Sequence, residues 1–134
     1  MERKILFTLV IVYFMTGCSS LDLSASACNS EILNAFTQTY MRGFSDVTET
    51  VGDQIAAFAR VAVEVEGKNL EGPSWTIDER GEGCVITLSA TVNGVKTSLT
   101  TFYVDLKTMH AYPDDYTYQM VIQTDFPNGI PINP

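Results

Sequence analysis

Two β-branched runs separated only by Asn93-Gly94 constrain this chain more than any other stretch. They cover residues 84–92 and 95–104. Asn-Gly between such runs is the strongest short-range signal for a two-residue hairpin, because both central residues of a type I′ turn need positive φ. Uninterrupted pairing from that turn sets Val92 opposite Val95, Ala90 opposite Thr97, Leu88 opposite Leu99, Ile86 opposite Thr101 and Cys84 opposite Tyr103. Side chains alternate across a strand. One face then carries Cys84, Ile86, Leu88, Ala90, Val92, Val95 and Leu99, and wants a core. The other carries Thr87, Ser89, Thr91, Lys96, Ser98 and Thr100, with Val85, Phe102 and Val104 at its far end.

The cover for the apolar face comes earlier in the chain. Leu33, Phe36, Tyr40, Phe44, Val47, Val51, Ile55, Phe58 and Ala62 recur at intervals of three and four, the period of an amphipathic helix. Asn29 or Ser30 is placed to cap its start. One helix over residues 30–62 would be about 50 Å long, against a radius of gyration of about 13 Å for a domain this size, so it must bend or break. Gly43 and Gly52 are weak helix positions and Thr50-x-x-Asp53 resembles a capping box, which predicts two helical segments meeting between those glycines. Residues 61–66 alternate and fit either the helix end or a first strand, and residues 67–73 read as a loop. Residues 74–79 then read as a strand with Trp75 and Ile77 inward, turning through residues 80–83 into the hairpin.

Helix followed by antiparallel strands is an α+β arrangement. The expectation is one or more N-terminal helical segments packed on one face of a three- to five-stranded antiparallel meander, forming a single domain over residues 28–124. Residues 114–122 fit a short helix or a last strand, and residues 125–134 read as an extended, poorly ordered Pro-rich tail. In element order, residues 30–112 resemble cystatin-like helix-plus-sheet domains; the resemblance carries no residue motif and implies no activity.

The first residues give a cellular address. Arg3 and Lys4 precede an uncharged apolar run over residues 5–15, the n-region and h-region of an export signal. As a helix this run would reach about 16 Å, half of a bilayer's hydrocarbon core, so it does not span. It ends in Met15-Thr16-Gly17-Cys18, which resembles the lipobox of bacterial lipoproteins. The resemblance implies that residues 1–17 are a signal peptide, that Cys18 carries lipid, palmitate included, and that Cys18 begins the mature chain. Ser19 after the Cys looks like the outer-membrane sorting type, which implies a periplasmic face. Several acyl chains hold a protein on a bilayer where one does not. Residues 18–27 would form a short Ser/Ala-rich tether, keeping any partner near the membrane.

With Cys18 lipidated, Cys28 and Cys84 remain, an even pair in an oxidising compartment, and a disulfide is the natural reading. A catalytic thiol is the lesser alternative, with no CxxC to support it.

Composition narrows the function. The chain of 134 residues is 46% hydrophobic and 18% charged, that of a folded protein, and carries a net charge of −8. Phosphate binding needs clustered Lys and Arg, so nucleic acid is not an expected partner. Gly81-x-Gly83 precedes a strand, which does not support dinucleotide binding, and no GxSxG, Walker loop, HExxH or Ca²⁺ loop occurs. His110 is the one histidine; with Asp114 and Asp115 it could hold a cation, but a solvated turn reads better. Adjacent carboxylates such as Asp78 and Glu79 point to opposite faces of a strand and make a poor acid/base dyad. No metal, cofactor or enzymatic activity is expected.

What remains is a protein-binding lipoprotein whose partner is an envelope protein, acting as an envelope or secretion accessory factor. The alternatives are an immunity or inhibitor lipoprotein against a periplasmic enzyme or toxin and, at a distance, a small carboxylate-dependent hydrolase. The expected binding patch joins Val85, Phe102 and Val104 on the outer hairpin face to Tyr112, Tyr116 and Tyr118, since apolar and aromatic groups ringed by polar ones compose protein-binding surfaces. The other possibility is that the segment carrying Tyr118, Met120 and Ile122 folds back over that end.

Overall fold

A computed structural model describes residues 27–42 and 48–134. The expected signal peptide, Cys18 and its lipid, nearly all of the tether, and Gly43, Phe44 and Val47 lie outside the described residues.

Asn29 opens the first helix, α1 (Ser30–Thr37), its side chain accepting from the amides of Glu31 and Ile32. The helix stops at once, because Thr37 Oγ1 donates to the Leu33 carbonyl and Thr39 Oγ1 to the Ala35 carbonyl, local bonds that compete with the next helical turn. Tyr40 therefore does not continue the helical stripe. It lies in β1 (Tyr40–Met41), which pairs with β2 (Glu49–Thr50) as a separate two-stranded sheet. The second helix, α2 (Val51–Val65), begins where Thr50 accepts from the Asp53 amide. The break between helices thus starts at residue 38, earlier than the glycines indicated, and residues 61–65 finish α2.

Five antiparallel strands follow in simple sequential order: β3 (Leu70–Arg80), β4 (Gly83–Val92), β5 (Val95–Asp105), β6 (His110–Pro113) and β7 (Ile130–Pro131). A third helix, α3 (Tyr116–Gln123), lies between the last two strands. The architecture is α+β. β3 starts at Leu70, inside the expected loop, and absorbs Gly72-Pro73 at a register shift between Glu71 and Ser74, where Gly72 takes φ +60°. The β4–β5 turn is as read: Asn93 has φ 49° and Gly94 φ 81°. Asn93 also exchanges bonds with Asn69, through its own amide and through its side-chain oxygen, fastening the turn to the start of β3.

From that turn the expected register holds through Ser89 and Ser98, and then changes. Leu88 pairs with Thr100, Ile86 with Phe102 and Cys84 with Val104. Leu99 is the extra residue of a β-bulge, and beyond it every β5 side chain changes face. Phe102 and Val104 are therefore fully buried, beside Ile86 and Cys84, and are not on the outer face. Phe102 stacks 4.9 Å from Phe36 of α1 and 6.3 Å from Trp75 of β3. One apolar cluster joins Phe36, Ile55 and Ala59 from the helices to Ile86, Leu88, Phe102 and Val104 from the sheet. The disulfide Cys28–Cys84 is formed, with Cα atoms 5.7 Å apart, and ties the start of the described chain to the central strand.

The C-terminal residues are part of the fold and not a loose tail. Gly129 takes φ +94°, after which Ile130 pairs with Ala111 and the Ile132 amide donates to the Met109 carbonyl. Ile130 and Ile132 are buried. Pro131 is tolerated because β7 is an edge strand, where an absent N–H breaks no ladder.

Candidate functional site

The residues expected to form one patch are divided among three places. Phe102 and Val104 belong to the core, for the reason just given. Tyr118 is buried too: α3 folds back so that its ring meets Phe58 edge-on at 5.3 Å, with Val121 and Ile122 buried on the same helix. Burial pushes the Tyr118 hydroxyl above its ordinary pKa, and the negative charge of Asp115 pushes it further in the same direction. Val85, Tyr112 and Tyr116 remain accessible.

Val85 and Tyr112 lie on the outer sheet face, in a cross-strand row that runs Asp78, Val85, Tyr103, Tyr112. Tyr103, absent from the expected patch, is the bridge between them. Two glycines bed the tyrosines against the sheet. A Cβ on Gly83 would come 2.6 Å from the Tyr103 hydroxyl, and one on Gly129 would come 2.6 Å from Tyr112 Cε1. The rings lie down and are only partly exposed, 36% for Tyr103 and 40% for Tyr112. Beside Tyr112, a dimple of about 120 Å³ is lined by Ile122, Phe126 and Pro127.

Tyr116 belongs to a different surface and is 73% exposed. It stands where α3 begins, next to the β5 bulge. Asp115 caps the helix, its Oδ1 accepting from the Thr117 amide at 2.8 Å, and Asp114 Oδ2 accepts from Thr101 Oγ1 at 2.8 Å. These two carboxylates thus do structural work that fixes where they stand. Around them lie two adjoining hollows. One, of about 540 Å³, is open and lined by Ser98, Thr100, Thr101 and Tyr116 along with both aspartates; the other, of about 250 Å³, has Phe58, Ala62, Val63, Glu66 and Tyr118 in its wall. Leu99 and Asp115 line both. Thr100, set inward by the bulge, has a buried Oγ1 with no hydrogen-bond partner among the described residues.

The sequence does hold a signal for this arrangement. Leu99 and Phe102 are three residues apart, which on a regular strand puts them on opposite faces. Both turn toward the interior side only if the alternation is interrupted, as the bulge at Leu99 interrupts it.

His110 makes a local turn contact, its Nδ1 2.7 Å from the Thr108 carbonyl oxygen. Among the described residues no group of three or more His, Cys, Asp or Glu side chains is arranged to hold a metal ion. Nor is any helix among them long and apolar enough to cross a membrane. Compared with protein-family models, with curated proteins and with solved structures, the chain matches none.

Proposed function

We propose that this chain is a lipoprotein anchored at the periplasmic face of the outer membrane, acting by binding another envelope protein as an assembly or secretion accessory factor. One observation carries the reading. The chain has three cysteines, the disulfide takes up Cys28 and Cys84, and the third is Cys18 of the Met-Thr-Gly-Cys sequence. A disulfide suits an oxidising compartment, and the remaining thiol stands where a lipid is attached in the class that this motif resembles. In this reading the helices cover one sheet face, and Tyr116 and the acidic hollows beside it serve the partner.

The test is metabolic labelling with palmitate of the wild type and of Cys18→Ser. Label should enter only the wild type, which should also partition into a detergent phase. Equal labelling of the two proteins would refute the anchoring.

A further inference from the structure

The two hollows that meet at Leu99 form one trough with a split character. Its upper part presents the apolar surfaces of Phe58, Ala62 and Val63. Its lower part presents Asp114, Asp115 and the ring of Tyr116, with hydroxyl groups from Ser98 and Thr101. Glu66 adds a third carboxylate at the apolar end, and among the described residues no Lys or Arg lines either hollow. The bulge builds this place, since it sends Leu99 into the junction and leaves Thr100 Oγ1 in the wall without a hydrogen-bond partner among the described residues.

We infer that the trough docks a segment of a partner protein that carries an arginine beside an aliphatic residue. The inference rests on the protein-binding reading above and specifies the partner's chemistry. Charge complementarity selects the occupant. Carboxylates held in place by the Thr101 hydroxyl and the Thr117 amide keep free lone pairs, and Asp115 adjoins both the polar and the apolar half. A guanidinium fits this lower half better than an ammonium. Its planar fork bonds carboxylates in pairs and its face stacks on an aromatic ring such as Tyr116. The aliphatic neighbour would then enter the hollow between α2 and Tyr118.

The experiment uses the lipidated protein in detergent micelles, with the disulfide intact. The probe is a fluorescein-labelled hexapeptide holding one arginine flanked by leucines, and the control peptide has glutamate in place of the arginine. Anisotropy should show the arginine peptide binding at least about tenfold more tightly than the control. The double variant Asp114→Asn, Asp115→Asn keeps the helix cap and the Thr101 bond while removing both charges, so its thermal midpoint should stay put as affinity falls at least about tenfold. Tyr116→Ala, at an exposed position, should cost about threefold. Tyr103→Ser, at a residue that lines neither hollow, should leave affinity unchanged. Equal affinity for the two peptides, full affinity in the double asparagine variant, or loss on Tyr103→Ser would overturn the assignment. Any of these results would leave the palmitate experiment on Cys18 standing by itself.

Discussion

The bulge at Leu99 makes neighbouring positions in β5 opposite in kind, and this can be tested by replacing Phe102 and Tyr103 separately with alanine. Phe102 is fully buried against Phe36 and Trp75. Truncating a buried Phe removes its transfer free energy and leaves a cavity, a loss of about 3–5 kcal/mol. A domain of this size has about 5–15 kcal/mol in total, so the variant should be close to the edge of folding. At about 4 °C or more per kcal/mol, its thermal midpoint should fall by at least about 12 °C. Tyr103 packs across the outer face on Val85 and Tyr112, and its loss should cost only about 1 kcal/mol. Thermal and urea unfolding of the two variants, followed by circular dichroism, give both differences. A larger loss for Tyr103→Ala than for Phe102→Ala would mean that β5 runs in the unbulged register, and the trough would disappear with the bulge.

Three further outcomes follow from the same packing. The disulfide closes a separation of 56 residues, worth about 4 kcal/mol in the chain-entropy picture, so adding a phosphine reductant should lower the unfolding midpoint sharply, and alkylation of unfolded, unreduced protein should find neither Cys28 nor Cys84 free. Thr100→Val removes a buried hydroxyl without a partner among the described residues while keeping its shape, and should raise stability by about 1–2 kcal/mol in urea titration; a loss of that size would mean that the hydroxyl is bonded. Tyr118 has its pKa raised above 10.0, so the folded state keeps a proton that the unfolded state gives up. Its contribution is whole below pH 10.0 and is lost as pH rises through the folded value, so wild-type stability should fall more steeply than that of Tyr118→Phe on the alkaline side; equal slopes would contradict its burial.

Local chemistry was legible wherever a few adjacent residues decide the outcome. Asn93-Gly94 needs only its two positive φ values, Thr50 and Asn29 need only a nearby amide, and the phase of Trp75 and Ile77, which pack half-buried against the core, follows from alternation alone. The pairing of Cys28 with Cys84 could be read from cysteine count and compartment. Non-local events were harder. A bulge is fixed by the balance between burying Phe102 and keeping an unbroken ladder, a contest settled by Phe36 and Trp75, which are distant in sequence. Simple counting from the turn cannot register it, although the odd interval from Leu99 to Phe102 could have signalled it. Prolines weaken a strand, so the sequence of the Pro-rich end suggests a loose tail; Ile130 and Ile132 reverse that by entering the core beside an edge that needs no donor from Pro131. The trough is not legible in the sequence for a related reason, because its walls come from α2, β5 and the start of α3, which no sequence window brings together.

The proposed anchoring holds this domain on a membrane through Cys18. Intact-mass spectrometry of the protein extracted from envelope membranes tests it most directly. Lipidation at Cys18 predicts a mature chain that begins at Cys18, heavier than its amino-acid sequence by the mass of its acyl groups. A chain cleaved at another residue, or one that begins at Cys18 with no added mass, would contradict it.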